Sequence, residues 1–170
     1  MKHYITALLL FFFTLSFSQN IDFEDILNIK TKNASEVKEF LLNKNFKIAQ
    51  EHYSKEMKFG DILFLSQNKQ DNEIPTSIAF YYEGNNLTKN RINFEMNNQE
   101  VFDSYLNQLK ELNFKVVSSK TEKNITIENY KNETTIIEVK IRFVENHFGK
   151  QRTFYSFYIT DTNYTQTKYY

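Results

Sequence analysis

The sequence has no cysteine, three glycines and one proline in 170 residues. The lack of cysteine excludes a disulfide scaffold, a cysteine nucleophile, a thiolate zinc site and a lipidated N-terminal cysteine. Three glycines cannot supply the glycine-rich loops that bind dinucleotides or cradle phosphates, and neither motif occurs. Basic and acidic side chains are balanced at 21 each, which argues against a nucleic-acid binder that relies on a basic surface.

Residues 1–18 have the order of a secretory signal peptide. A short basic start precedes an apolar stretch from Tyr4 to Phe17. The small residues Ser16 and Ser18 occupy the two positions that a signal peptidase recognises. The stretch is shorter than the roughly 20 residues that a transmembrane helix needs. We therefore predict cleavage before Gln19 and export to the periplasm, the cell surface or the medium, with no membrane span in the mature chain.

The mature sequence repeats one order of elements. In residues 19–97 a short helix is predicted over Asp22–Ile29. A second helix follows, with Asn33 as its N-cap and Glu36 in position to complete a capping box. Four strands are then predicted, at Phe46–Gln50, Asp61–Ser66, Thr76–Tyr82 and Arg91–Met96.

The second half, residues 98–160, begins again with an Asn-x-x-Glu start at Asn97 and a helix of about four turns. Its exit, Asn113-Phe114-Lys115, matches Asn45-Phe46-Lys47 at an offset of 68 residues and leads into a strand. Three more strands are predicted, at Asn124–Tyr130, Thr135–Val144 and Arg152–Thr160.

This order predicts an α+β fold of two α-β4 repeats, with helices packed on one face of one or two antiparallel sheets. Because each repeat is small and no disulfide is available, the halves are expected to share a core or to brace one another. Residues 161–170 are polar and are predicted to form a flexible tail.

The signal segment followed by two helix-and-strand units resembles small uncharacterised exported proteins of flavobacterial type, and the Ser-Phe-Ser-Gln end is similar to signal-peptide ends of Bacteroidetes-type bacteria. At the level of architecture the order is also similar to the tandem α/β4 repeats of the secreted β-lactamase inhibitor protein. That likeness implies an arrangement of elements, and it carries no functional residue to this chain.

No catalytic motif stands out. His52 and His147 are the histidines of the mature chain, and neither lies in a metal-binding or Ser-His-Asp pattern. Glu145 and His147 share a strand parity, which leaves a weak metal or base pair as one interpretation and a solvated loop histidine as the favoured one. We predict a protein that is not an enzyme and has no metal or cofactor, with an envelope hydrolase as the less favoured alternative.

Adjacent aromatic residues are the clearest candidate for a binding surface. Tyr81-Tyr82, Phe154-Tyr155 and Phe157-Tyr158 place rings on both faces of their strands, so that one ring of each pair meets solvent, a helix or a partner. The sequence therefore predicts a binding face built from Tyr81 or Tyr82, Tyr155 and Tyr158, while high β-propensity alone also explains tyrosine in these strands.

The predicted function is an exported, non-catalytic domain that binds another envelope or secreted protein and no nucleic acid, as an inhibitor, immunity or envelope-accessory protein does. Binding of a glycan or another small ligand in a groove between the repeats is the alternative, which the absence of tryptophan weakens.

Overall fold

A computed structural model of the chain describes residues 21–55, 59–67, 74–84, 86–145, 149 and 151–164. The predicted signal peptide, its cleavage site and His147 lie outside the described residues. Within them no helix is long and apolar enough to cross a membrane.

Within the described ranges, three α-helices form where the sequence carries caps. They are α1 (Phe23–Ile29), α2 (Ala34–Asn43) and α3 (Gln99–Glu111). The predicted capping box of α2 is present, because Asn33 accepts from the first-turn amides while Glu36 accepts from the Asn33 amide. In α3 the cap is Asn98, one residue later than predicted, and its side chain accepts from the amide of Val101.

Eight strands follow the predicted order and form one antiparallel sheet. They are β1 (Phe46–Ser54), β2 (Phe59–Ser66), β3 (Ser77–Glu83), β4 (Arg91–Met96), β5 (Lys115–Glu122), β6 (Ile125–Lys131), β7 (Thr135–Glu145) and β8 (Gln151–Asp161). Their order in the sheet is β1-β2-β3-β4-β8-β7-β6-β5, so the two halves of the chain join where β4 pairs with β8. A short 3-10 helix, Leu87–Lys89, precedes β4 and was not predicted. The fold is thus a mixed α and antiparallel β structure, as expected.

Side chains from the strands and from the helices form one hydrophobic core. Alternate residues of the central strands point into it, such as Ile92 and Phe94 on β4 and Phe157 on β8, each at most 1% exposed. Phe23 of α1 contacts the Phe157 ring edge-on at 5.2 Å, and Tyr105 of α3 lies 5.5 Å from the Phe94 ring. These contacts place side chains from both halves of the chain in a single core.

The two helix-to-strand turns have the same backbone geometry. Asn45 and Asn113 both have a φ of 61°, and each precedes a phenylalanine that is 5% exposed. Each following strand then has a β-bulge, between Ile48 and Gln50 in β1 and between Val116 and Ser118 in β5. A bulge twists an edge strand and disfavours pairing with a further strand, which suits β1 and β5 as the two edges of the sheet.

A buried polar network braces the two halves. Lys30, which follows α1 and is 8% exposed, donates to the Thr135 hydroxyl at 3.1 Å and lies 3.5 Å from Asp161. Asn90 donates from its amide to the carbonyls of Lys30 and Lys32, at 2.9 Å each. Asp161 belongs to the segment predicted as a tail, so the start of that segment is part of β8.

Candidate functional site

The face of the sheet opposite the core, here called the outer face, holds the candidate site. Its residues alternate with the core residues along the central strands, as Arg91, Asn93 and Glu95 do on β4. The central strands leave an open trough of about 820 Å³ on this face, lined by Tyr81, Tyr158 and other side chains. The trough spans the β4–β8 junction, so residues from both halves line it.

The four predicted tyrosines divide between the two faces. Tyr81 and Tyr158 lie half-buried on the outer face and line the trough. Tyr82 lies on the core side, where its ring stacks on Phe80 at 5.8 Å. Tyr155 is 6% exposed and its ring stacks on Phe102 of α3 at 4.2 Å, so it lies in the core and not on the predicted binding face.

The expectation that one ring of each adjacent pair turns inward is confirmed. In the Phe154-Tyr155 pair the inward ring is Tyr155 and the outer one is Phe154, because β8 pairs with β7 in a register that sets Tyr155 opposite Ile141. Phe154 instead lies opposite Arg142, whose guanidinium carbon is 5.8 Å from the Phe154 ring centroid. This register is set by the pairing of two strands that follow one another in the chain.

A row of polar residues crosses the first half of the outer face. The register aligns His52, Asp61, Tyr81 and Arg91 on β1 to β4. Burial is the main reason that the pKa of Tyr81 is raised, and the nearby Asp61 carboxylate adds to the rise. At pH 7 Tyr81 is therefore a neutral phenol that donates or accepts hydrogen bonds.

Arg91 lies between two tyrosine rings. Its guanidinium carbon is 5.3 Å from the Tyr81 ring centroid and 5.2 Å from that of Tyr164, distances at which a cation is attracted by an aromatic face. Arg91 Nη1 donates to the Tyr164 hydroxyl at 2.9 Å. Its Nε is buried and has no hydrogen-bond partner, the one buried side-chain nitrogen or oxygen of that kind among the described residues.

Ion pairs neutralise the other charges of the trough. Arg142 Nη2 lies 2.7 Å from Glu95 Oε2, which links β7 to β4 across β8, and Lys140 Nζ lies 2.7 Å from Glu138 Oε1. Each of these side chains is about one-third exposed, so the pairs are partly shielded from solvent. Such pairs fix side chains in place more than they stabilise the fold.

The outer face becomes apolar beyond the Glu95–Arg142 pair. A smaller cavity of about 220 Å³ lies there between Leu63, Leu65, Pro75 and Phe154. Leucine and phenylalanine side chains at a half-exposed site offer apolar area to a partner next to the polar trough.

His52 is the one described histidine, and it lies at the end of the polar row. Its Nδ1 is 3.1 Å from Asp61 Oδ2 and its Nε2 is 2.9 Å from the Gln50 amide nitrogen. An amide nitrogen donates, so His52 Nε2 accepts from Gln50, and His52 Nδ1–H then donates a hydrogen bond to Asp61 Oδ2. Both ring nitrogens are thus engaged. Among the described residues no group of three or more histidine or acidic side chains could hold a metal ion.

Sequence reasoning missed the contacts within the polar row of the outer face and the contact between Arg91 and Tyr164. The alternation of Arg91, Asn93 and Glu95 in β4 indicates a polar face, but it does not predict which residues these side chains contact. The Arg91–Tyr164 contact joins residues 73 apart, and Tyr164 stood in a segment predicted to be a tail.

Comparison with known proteins adds nothing to this geometry: no family model, no curated protein and no solved structure matches the chain. Function is therefore inferred from the outer face itself.

Proposed function

We propose that this chain is an exported, non-catalytic domain that binds another envelope or secreted protein through the outer face of its sheet, in the manner of an inhibitor, immunity or envelope-accessory protein. The observation that carries the proposal is the make-up of that face. An open trough with two half-buried tyrosines adjoins a cavity between leucine and phenylalanine side chains. Tyrosine, phenylalanine and arginine are the residue types enriched where proteins meet.

The ion pairs of the trough favour a binding role over a catalytic one. Glu95 and Glu138 each have a cation at 2.7 Å, and Asp61 is in contact with His52. A general acid or base needs a group within reach of the substrate and a pKa matched to the reaction. Carboxylates that are paired in this way are instead suited to a fixed pattern of charge for a partner to recognise.

The two-repeat organisation belongs to the same proposal. The shared φ of Asn45 and Asn113, the matching bulges in β1 and β5, and the strand order that runs outward from β4 and β8 all support two α-β4 units, residues 19–97 and 98–160, side by side in one sheet. In this arrangement the helices of both units cover one face. The trough is then formed by residues of both units where the units pair.

Affinity capture with matched variants tests the proposal. The mature chain is used as bait against an envelope extract of the native organism, beside a Tyr81→Ala/Tyr158→Ala double variant and a Tyr53→Ala control. Tyr53 is 56% exposed on edge strand β1 and does not line the trough. A protein that the wild type and the control retain, and the double variant loses, supports the proposal. Equal retention by all three baits contradicts it.

Binding of a glycan is the second candidate, favoured by one feature of the trough. Beside the tyrosines, its lining includes the amides of Asn93 and Asn129 and the hydroxyls of Ser156 and Thr160, which are neutral hydrogen-bonding groups suited to sugar hydroxyls. A glycan array probed with the mature chain and the Tyr158→Ala variant distinguishes the two. Variant-sensitive glycan signals favour the second candidate, and an array with no signal removes it.

A further inference from the structure

We propose that Arg91 is the point on the outer face where the protein partner inserts a carboxylate, from an aspartate or a glutamate side chain. This inference rests on the proposed function, since it names the chemistry that a protein covering this face must carry. It concerns one guanidinium that contacts Tyr81, a residue of the trough, and Tyr164.

Arg91 differs from the other cations on this face. Arg142 and Lys140 each have a carboxylate at 2.7 Å. Within the described part of the chain, Arg91 makes no ion pair, and its one side-chain hydrogen bond goes to the Tyr164 hydroxyl. Its positive charge is balanced only by two aromatic faces, which attract a cation far less strongly than a carboxylate does.

The Arg91 guanidinium contacts two aromatic rings and has few hydrogen-bond acceptors. Nη1 is used by Tyr164, and Nε is buried without a partner. An arginine has five N–H donors in a fixed fork, and a carboxylate accepts two of them in parallel. The N–H donors of Arg91 that remain without an acceptor are therefore suited to a planar anion such as a carboxylate.

Charge complementarity then specifies the partner. A protein that covers the outer face removes water from Arg91, and a charge that loses its water without gaining a counter-ion opposes binding. The carboxylate of Asp61 is already engaged by His52, and those of Glu95 and Glu138 by their own cations. The partner must therefore supply the missing counter-ion. A protein without a carboxylate at this position binds less well, so the charge makes binding specific.

The test uses the mature chain and a minimal probe. The chain has three arginines, Arg91, Arg142 and Arg152, so single substitutions assign their three Nε–H signals in a ¹⁵N NMR spectrum. The buried Nε of Arg91 is shielded from water, which favours an observable signal. Acetyl-aspartate methylamide is titrated at constant ionic strength and pH 7, beside acetyl-asparagine methylamide, which has the same shape and no charge.

We expect a saturable shift of the Arg91 Nε–H signal with the aspartate probe and none with the asparagine probe. Arg142→Gln is the matched control and keeps the response. Arg91→Gln loses any saturable response of the Tyr81 and Tyr164 ring signals. Tyr164→Phe retains the Arg91 cation and is expected to keep the saturable shift with the aspartate probe. This variant therefore separates loss of the charge from disturbance of the local structure. Equal shifts with both probes, or shifts that do not saturate, overturn the proposal.

The same variants separate this inference from the proposed function. If a partner is captured through Tyr81 and Tyr158, Arg91→Gln is expected to weaken its binding roughly tenfold or more, since it removes one member of a charge pair at the interface. A captured partner that Arg91→Gln binds with unchanged affinity overturns the carboxylate proposal and leaves the protein-binding proposal in place. Shifts that follow the concentration of the chain and not of the probe identify a second copy as the occupant, and these also overturn it.

Discussion

Asn45 and Asn113 stand 68 residues apart and hold the same left-handed backbone conformation, each with a φ of 61°. Each follows a helix and precedes a buried phenylalanine, Phe46 or Phe114. Asparagine adopts this conformation at a lower cost than most side chains, and glycine adopts it without steric cost. The two positions therefore have a similar energetic role in the two halves of the chain.

Substitutions at these asparagines are expected to act in parallel. Asn45→Ala and Asn113→Ala should each lower the free energy of unfolding by about 1 kcal/mol, because alanine is strained at this φ. Asn45→Gly and Asn113→Gly should be close to neutral. Urea unfolding followed by circular dichroism measures all four. A large alanine penalty at one site and none at the other would contradict the equivalence of the two turns.

Gly60 is expected to be intolerant of any side chain. It lies opposite Tyr82, and a Cβ at this position would stand 2.5 Å from Tyr82 Cζ and 2.7 Å from the His52 carbonyl oxygen. Gly60→Ala should destabilise the protein by about 2 kcal/mol, in the range for overpacked sites. Adding Tyr82→Ala should not restore stability, since the clash with the His52 backbone remains. Full rescue by the second substitution would show that only the ring is in the way.

Tyr105 should make stability fall in alkaline solution. Burial is the main cause of its raised pKa, with Asp22 and Asp25 adding to it, so ionisation is harder in the folded state than in the unfolded one. A tyrosine whose pKa is raised by folding leaves stability intact below the unfolded value of about 10 and lowers it as the pH rises above that value. Urea unfolding between pH 7 and 11 measures the slope.

Tyr105→Phe serves as the matched variant for this pH dependence. It removes the hydrogen bond that the Tyr105 hydroxyl donates to the Ile21 carbonyl, at a cost of about 1 kcal/mol near pH 7. Because phenylalanine does not ionise, the decline above pH 10 should be shallower than in the wild type. An identical decline in both proteins would place the alkaline sensitivity on other groups.

Truncation should destabilise the protein much more at Tyr155 than at Tyr158. Tyr155→Ala removes a core ring that stacks on Phe102 at 4.2 Å, and it should cost about 3 kcal/mol of stability. Tyr158→Ala removes a half-buried ring of the trough and should cost less than about 1 kcal/mol. Thermal unfolding of the two variants measures this contrast. A larger loss for Tyr158→Ala would place that ring in the structural core.

Local sequence patterns predicted the elements well because their causes are local. The Asn33 cap and the alternation of Ile92, Phe94 and Met96 depend on residues within one element, and the helices and strands agree with them within a few residues. The pairing of β4 with β8 could not be predicted, because it joins segments about 60 residues apart. A short sequence pattern does not determine which distant strand is the partner. That pairing joins β1–β4 to β5–β8 in one sheet.

The candidate site was predicted in part for the same reason. Adjacent rings on a strand always face opposite ways, but which ring faces outward depends on the register with neighbouring strands. Tyr81 and Tyr158 lie on the outer face, whereas Tyr155 lies in the core. The contact between Arg91 and Tyr164 needs the sheet to be formed before the two residues meet.

Site-specific photo-crosslinking tests the central claim, that the outer face meets a protein partner, most directly. A photoreactive phenylalanine derivative is placed at position 158 of the trough or at position 53 of edge strand β1, and the protein is irradiated in the native envelope. We predict a discrete crosslinked product from position 158 and none from position 53. Crosslinks of equal yield from both positions, or none from position 158 in a folded protein, would contradict the claim.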